Sequence, residues 1–344
     1  MTKTHKGEAF LVKGVFHLAD DLDLHDDSYY RMNAEMWATL PAHITTRYYE
    51  IDDIEYTITA DWSSAKDLTQ KAFEVVRNTL TKEKETGRFE WQGDYPNEIT
   101  VPIIVSSFGD HSKESQSKPK FMIENYLYDV FFILNVALPG SADFMNLIVE
   151  DRIYKFETKL DIASYYPHRA YIDEEWPILS PIDVSKVEQW YSSVRSGASQ
   201  VPENMVESAI FALLHVCRSN GKPEDIIWMF YAFESLFKTR AGENFSAITE
   251  RIRFILDPNP KQEGSMKKKL REMYNFRSSF VHGGLKVIHP LHNEQIDSRI
   301  NELYDSIVEL TQYGVKLLLA CFQTYIKNGW LDVEFEVTAR PIKG

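Results

Sequence analysis

Residues 264–284 read GSMKKKLREMYNFRSSFVHGG, and this stretch decides the fold of the second half of the chain. Its apolar residues recur at three- and four-residue steps, which is the spacing of one face of an α-helix. Arg277 lies on that face together with Leu270 and Met273. The two glycines after His282 favour the left-handed backbone that closes helices. The stretch therefore predicts a helix that ends where the glycines begin.

Arg277, on the apolar face, needs either a partner side chain or a functional role, because a guanidinium keeps its charge and is costly to bury alone. Glu234 is the predicted partner, since it stands at the edge of the apolar stripe of an earlier helix. His282 comes at the helix C-terminus, where the helix dipole favours the charged imidazole. The small residues after it give a ligand access, so Arg277 and His282 are the candidate functional residues.

The rotation of the helix separates these two residues. Positions five apart lie about 140° apart around an ideal helix. Arg277 and His282 would therefore converge only if the turn re-aimed the histidine, or if a second copy of the chain completed the site.

Helical periodicity extends over the rest of the second half. It predicts six helices, over 184–194, 202–218, 223–238, 245–256, 264–281 and 294–327. The stretch before them, 165–183, contains three prolines and several acidic residues, so it neither continues a helix nor fills a central strand. We predict a domain boundary there. The resulting units are a mixed domain over 1–182, an all-helical domain over 183–330 and a C-terminal tail over 331–344.

The first unit has the pattern of a mixed domain, with β-branched and aromatic runs separated by turn residues. Strands are predicted over 9–18, 45–62, 88–91, 99–108 and 147–160. Helices are predicted over 67–84 and over 121–138, the latter apolar nearly all round and therefore expected to be buried. The predicted fold class is α+β: a mixed N-terminal domain of unknown type, followed by an all-α helical bundle.

Charge is distributed unevenly along the 344 residues, whose formal net charge is −13. This balance argues against a general nucleic-acid binder with a basic surface. Residues 251–290, however, hold nine Lys or Arg against three Asp or Glu. Candidate RNA-contacting side chains in this stretch are Arg253, Lys267, Lys268, Lys269 and Arg271. A solvated helix face is the alternative interpretation, because consecutive lysines point in different directions on a helix.

Several function classes are set aside by the absence of their motifs. Cys217 and Cys321 are the only cysteines, so neither a disulfide framework nor a four-thiolate zinc site is expected. The histidines at 215, 282, 289 and 292 lack the paired spacing of a zinc site, and we predict neither a metal nor a cofactor. No apolar run approaches the ~20 residues of a membrane helix, and the start lacks a signal peptide. We expect a cytoplasmic protein without a membrane partner.

The residues around the predicted site resemble a known superfamily. Arg277-Ser278-Ser279-Phe280-Val281-His282-Gly283 is similar to the Arg, four-residue gap, His motif of the HEPN superfamily, most closely its Apea-like branch. Trp228-Met229-Phe230-Tyr231-Ala232-Phe233-Glu234-Ser235-Leu236-Phe237 resembles a second conserved helix of that branch, with Glu234 at the acidic position. Met273-Tyr274-Asn275-Phe276 resembles its approach to the motif. The resemblance covers 205–327.

The resemblance implies a helical bundle that forms a homodimer, with two motifs facing each other across a cleft. It implies a metal-independent endoribonuclease, of a prokaryotic toxin or antiviral defence type, or a module that binds RNA or a nucleotide. In the first case the histidine transfers protons and the arginine braces the phosphate. Active members often carry Asn, Asp or His directly after the arginine, whereas this chain has Ser278, which would support the site through its hydroxyl.

Two functional interpretations stay open. In the first, the helical domain cleaves RNA, and the front domain senses an unknown ligand or protein partner. In the second, the protein is a non-catalytic RNA- or nucleotide-binding protein or dimeric scaffold, in which Arg277 serves Glu234 and His282 caps its helix. The sequence does not decide whether the chain is an enzyme.

Overall fold

A computed structural model describes most of the chain. The described residues are 3–16, 27–94, 97–113, 115, 117–150, 155–158, 176–218, 222–239, 245–286, 288–289, 293 and 295–336. The first part of the predicted boundary, 165–175, and His292 lie outside them. The chain is α+β, as predicted, with a sheet in the front part and most of its helices in the back part.

The described strands form one antiparallel sheet in the order β2-β3-β4-β1-β5-β6. Their bounds are β1 Thr4–Phe16, β2 Thr46–Ile51, β3 Ile54–Ala60, β4 Glu98–Gly109, β5 Phe144–Glu150 and β6 Lys155–Thr158. The long central pair runs from Thr4 opposite Gly109 to Val15 opposite Glu98. Alternate residues of β4 are buried, as expected for a sheet with one covered face.

Two predicted strands each cover parts of two paired strands in the structure. The stretch 45–62 turns at Asp52 and Asp53, whose φ values of 53° and 64° place both in the left-handed region. Two central residues with positive φ make the tight turn whose twist matches a hairpin, and Asp tolerates that backbone. The stretch 147–160 likewise contains parts of β5 and β6, which pair with each other. Sequence alternation located the strands but not the turns.

The predicted strand over 88–91 is wrong. The helix before it ends at Gly87, whose φ of 69° turns the chain back. The Gln92 N–H then donates to Thr79 Oγ1 at 2.9 Å, and the Phe89 and Trp91 rings meet edge to face. This segment therefore lies along the preceding helix and forms no ladder with the sheet.

Helices of the front part cover one face of the sheet. They are α1 Ser28–Ala38, α2 Ala42–Thr45, α3 Ser63–Thr86 and α4 Lys118–Ala137. The helices α1 and α2 were not predicted. The helix α3 extends a few residues beyond its predicted bounds at both ends, and α4 begins a few residues before its predicted start. Nearly every residue of α4 from Met122 onward is buried or half-buried, which confirms the prediction from its composition.

The back part is helical, as predicted. Its helices are α5 Val184–Val194, α6 Met205–Cys217, α7 Glu224–Leu236, α8 Phe245–Leu256, α9 Pro260–Val281 and α10 Arg299–Asn328. Three predicted starts differ by three residues or more, and one of them is that of α10, which begins at Arg299, five residues after the predicted position. Asn204 caps α6, so Pro202 precedes the helix, and an Asn259–Gln262 capping box starts α9 four residues before the predicted position.

Buried hydrophobic residues form one continuous core from the sheet to the bundle, because α4 packs against both α5 and α10. The Phe132 and Phe322 rings meet edge to face at 5.7 Å, and Gln323 donates to the Val136 carbonyl. In the segment after α10, the Trp330 carbonyl accepts from Trp190 Nε1 at 2.8 Å. The division at 182/183 stays a prediction.

Both cysteines are buried and free, which matches the expectation of unpaired thiols. Burial raises the pKa of both thiols well above the usual range. Within the part of the chain that the structure describes, no helix combines the length and apolarity needed to cross a membrane.

Candidate functional site

The motif helix α9 is held in place by its apolar face. Met266, Leu270 and Met273 are fully buried where α9 packs against α7, α8 and α10. The Tyr274 ring meets the rings of Phe230 and Phe245 at 6.0 and 5.7 Å. Arg277 follows on the same face, one turn closer to the solvent-exposed end of the helix. Packing of the preceding turns therefore fixes the direction in which Arg277 leaves the helix.

Arg277 and Glu234 form the predicted pair. Arg277 Nη1 donates to Glu234 Oε1 at 2.9 Å and Nη2 donates to Oε2 at 3.4 Å, so the contact is bidentate. The guanidinium also lies 5.3 Å from the Phe230 ring centroid. The two side chains keep 30% and 34% of their surface exposed. The pair thus orients the guanidinium while leaving part of it open to a ligand.

His282 occupies the C-cap position of α9. Gly283 has a φ of 72°, and the N–H of Gly284 donates to the Ser279 carbonyl at 2.7 Å. The N–H of Gly283 donates to the Phe280 carbonyl at 3.4 Å, which completes a Schellman motif. Backbone atoms therefore close the helix, as the glycines predicted. The exposed imidazole takes no part in the cap and has no hydrogen-bond or ion-pair partner among the described residues.

The structure does not re-aim His282 toward Arg277. The His282 N–H donates to the Ser278 carbonyl at 3.0 Å, which is the ordinary helical step. The helix therefore runs regularly through both residues, and their side chains leave it about 140° apart. Half-buried Ser278 lies directly after Arg277. Within one chain, the helix therefore does not bring the two candidate residues together.

The candidate RNA-contacting lysines are paired within the chain. Lys267 Nζ lies 2.5 Å from Glu263 Oε1, Lys268 Nζ lies 4.0 Å from Glu272 Oε1, and Lys269 Nζ lies 3.4 Å from Glu309 Oε1. Arg271 stacks over the Phe245 ring at 4.4 Å, and Arg253 is exposed. The charges of these three lysines are therefore balanced by neighbouring carboxylates, which weakens their attraction for a polyanion.

A buried charge cluster lies at the junction of the front and back parts, and the sequence interpretation missed it. Asp129 of α4 accepts from Tyr49 at 2.8 Å and from Tyr191 at 2.6 Å. Arg47 Nε and Arg195 Nε lie 3.6 and 3.8 Å from its two oxygens. The lone aspartate in an apolar helix was the available signal, because a buried carboxylate requires partners just as Arg277 does.

The cluster continues from Arg195 to Glu207, which has no exposed surface. Arg195 Nη1 donates to Glu207 Oε1 at 2.8 Å, and Glu207 also accepts from the backbone N–H groups of Ser196 and Glu203. Burial opposes the charge of this carboxylate, but these backbone hydrogen bonds and Arg195 outweigh it, so the pKa of Glu207 is lowered. Burial, reinforced by the charge of Asp129, raises the pKa values of Tyr49 and Tyr191. These pKa shifts favour an ionised Glu207 carboxylate and neutral phenols at Tyr49 and Tyr191.

No protein-family model, curated protein or solved structure matches this chain. Among the described residues, no group of three or more His, Cys, Asp or Glu side chains is placed to hold a metal ion. The assignment of function consequently rests on the geometry of the motif.

Proposed function

We propose that the back part of the chain is a metal-independent endoribonuclease whose site is completed by a second copy of the chain, with Arg277 and His282 as its catalytic residues. The observation that carries the proposal is the free imidazole of His282. The Schellman motif closes the helix without it, and its exposed ring has no partner in the described part of the chain. An imidazole placed in this way is available for proton transfer to and from a bound substrate.

Arg277 supplies the second requirement, a fixed cation. The bidentate contact with Glu234 and the separate contact with the Phe230 ring orient the guanidinium. Its exposed part can bind a phosphate group. In the reaction, the ribose 2′-oxygen bonds to the adjacent phosphorus and the bond from phosphorus to the 5′-oxygen breaks. The imidazole takes the 2′-hydroxyl proton or gives a proton to the 5′-oxygen. The products are a 2′,3′-cyclic phosphate and a 5′-hydroxyl.

The test compares cleavage of a labelled mixed-sequence RNA, in excess chelator, by the unmodified chain, Arg277→Ala and His282→Ala. Exposed His5 and Arg88 offer matched controls as His5→Ala and Arg88→Ala, because both lie in the front part. We expect both motif variants to lose cyclic-phosphate products by a factor of about 100 or more, and both controls to keep them. Cleavage that survives in His282→Ala would contradict the proposal.

Mixing the two inactive variants tests the shared site directly. If Arg277 of one copy works with His282 of the other, a mixed dimer contains one site with both residues intact. An equal mixture should then recover about a quarter of the unmodified activity, since about half of the dimers are mixed and each has one working site. No recovery, in a mixture shown to exchange subunits, would exclude the composite site.

A second function is favoured by the paired charges. Lys267, Lys268 and Lys269 each pair with a carboxylate. Glu234 already accepts two hydrogen bonds from the Arg277 guanidinium. Under this proposal the chain is a non-catalytic RNA- or nucleotide-binding protein or dimeric scaffold. No RNA cleavage by the unmodified chain, together with a dimer that survives Arg277→Ala and His282→Ala, is the result that supports it.

A further inference from the structure

A cavity of about 550 Å³ lies between α4, α5 and α6, beside the buried charge cluster and apart from the motif on α7 and α9. Its walls include Asn125 and Tyr128 of α4, Arg195 after α5, and Phe211 and Arg218 at α6. This volume falls in the range of sites that enclose small organic molecules.

Two residues that line this cavity each hold a buried polar atom with no hydrogen-bond partner among the described residues, namely Asn125 Nδ2 and Tyr128 Oη. Arg195 Nε also makes no hydrogen bond, but it lies 3.8 Å from Asp129 Oδ1 and is paired with that carboxylate. Each orphaned donor costs folding free energy, so two in the wall of one cavity indicate a site built for a ligand that supplies acceptors.

The orientation of the Asn125 amide is fixed by its neighbours. Its Oδ1 accepts from Arg195 Nη2 at 3.1 Å and from Gln200 Nε2 at 3.0 Å. Both neighbours are donors, so the oxygen has to face them and the NH₂ group has to face elsewhere. Asn125 Nδ2 can only donate, and the Tyr128 hydroxyl can also donate. The missing partner therefore presents oxygen acceptors.

Charge and shape of the walls define the rest of the ligand. Arg218 is exposed, lies 5.9 Å from the Tyr128 ring centroid and has no carboxylate partner in the described ranges. The other lining charges are already paired or saturated in large part: Lys118 with Asp52, Arg195 with Glu207, and Asp129 with two tyrosines, while Glu124 also has a partner. Phe121, Phe211 and Leu214 contribute apolar surface.

We propose that this cavity binds a small organic anion, in which one carboxylate or phosphate group is attached to a flat apolar body. The anionic group accepts from Asn125 and Tyr128 and faces Arg218, while the body packs against Phe211 and Leu214. The proposal stands independently of RNA cleavage, because none of these residues belongs to the motif.

The experiment measures binding to the full chain by calorimetry with two matched pairs of probes. One pair is 2-naphthoate and neutral 2-naphthamide, and the other is adenosine monophosphate and neutral adenosine. We expect at least one anion to bind about tenfold more tightly than its neutral counterpart, because charge-assisted hydrogen bonds are lost in the latter. The pair that shows the larger ratio distinguishes a carboxylate ligand from a phosphate ligand.

Variants locate the binding. Arg218→Gln and Tyr128→Phe should each weaken binding of the anion by about fivefold or more, whereas Arg88→Gln should not. Tyr128→Phe removes a hydroxyl that lacks a partner, so the ligand-free variant should melt no lower than the unmodified protein. Equal binding of anions and neutral probes, unchanged affinity in both cavity variants, or a lower melting temperature of ligand-free Tyr128→Phe would each overturn the proposal.

Discussion

Asp129→Asn should be one of the most destabilising isosteric substitutions in the chain. The carboxylate is 2% exposed and lies between Arg47 and Arg195, with one tyrosine hydroxyl donating to each oxygen. An amide of the same shape places an NH₂ group opposite a hydroxyl donor and removes the charge that faces both guanidinium groups. Removing one member of a buried ion pair costs about 3–5 kcal/mol. We expect about 3 kcal/mol, because Glu188 and Glu207 still pair with the two arginines.

The measurement is urea unfolding followed by tryptophan fluorescence, with the free energy taken from the midpoint and slope. Asp67→Asn is the matched control, since Asp67 is exposed on α3 and its replacement should change stability by about 0.5 kcal/mol or less. A loss of less than about 1 kcal/mol in Asp129→Asn, at an unchanged slope, would refute the reasoning that this carboxylate ties β2 to α4 and α5.

Three further predictions concern charge and packing. The folded-state pKa of Glu207 lies below its ordinary value of 4.5, so its stabilising effect is complete above that value and is lost as the pH falls through the lowered pKa. We therefore expect Glu207→Gln to be less stable than the unmodified chain at neutral pH, with a smaller difference near about pH 4, measured by urea midpoints. Gly109→Ala should cost about 1–3 kcal/mol, because the new Cβ would lie 2.9 Å from the Asp53 carbonyl oxygen; Gly7→Ala, with open space around it, is the control and should differ little. Glu234→Gln should cost about 1 kcal/mol or less, since the Arg277–Glu234 pair is about one-third exposed, and a larger loss of thermal stability would contradict this assignment.

Local pattern predicted much of the helical half, because its signals lie within single elements. The α5 and α8 bounds follow from periodicity alone, and Gly283 marks the end of α9 through its own backbone. Arg277 on an apolar face predicted that a carboxylate would meet it, and the stripe that carries Glu234 supplied the candidate. Each of these inferences needs only neighbours along one or two helices.

Contacts between distant segments were beyond such patterns. The partners of Asp129 come from β2 and from the C-terminal end of α5, and nothing in the α4 sequence specifies them. The cavity beside them depends on how α4, α5 and α6 pack, which periodicity does not determine. The wrong strand over 88–91 has the same origin, because its β-like composition was overridden by a contact with Thr79 of the preceding helix.

The Asp129 cluster is buried, whereas the Arg277–Glu234 pair is partly exposed, and this difference determines how the motif can be tested. The Asp129 cluster is buried and links three elements, so its loss changes the stability of the whole chain. The Arg277–Glu234 pair and His282 lie at the surface end of α9, where packing by Met266, Leu270 and Met273 holds the helix without them. Substitutions at Arg277 and His282 should therefore leave most of the folding free energy intact. Lost RNA cleavage or binding in these variants can then be assigned to the site itself, and not to unfolding.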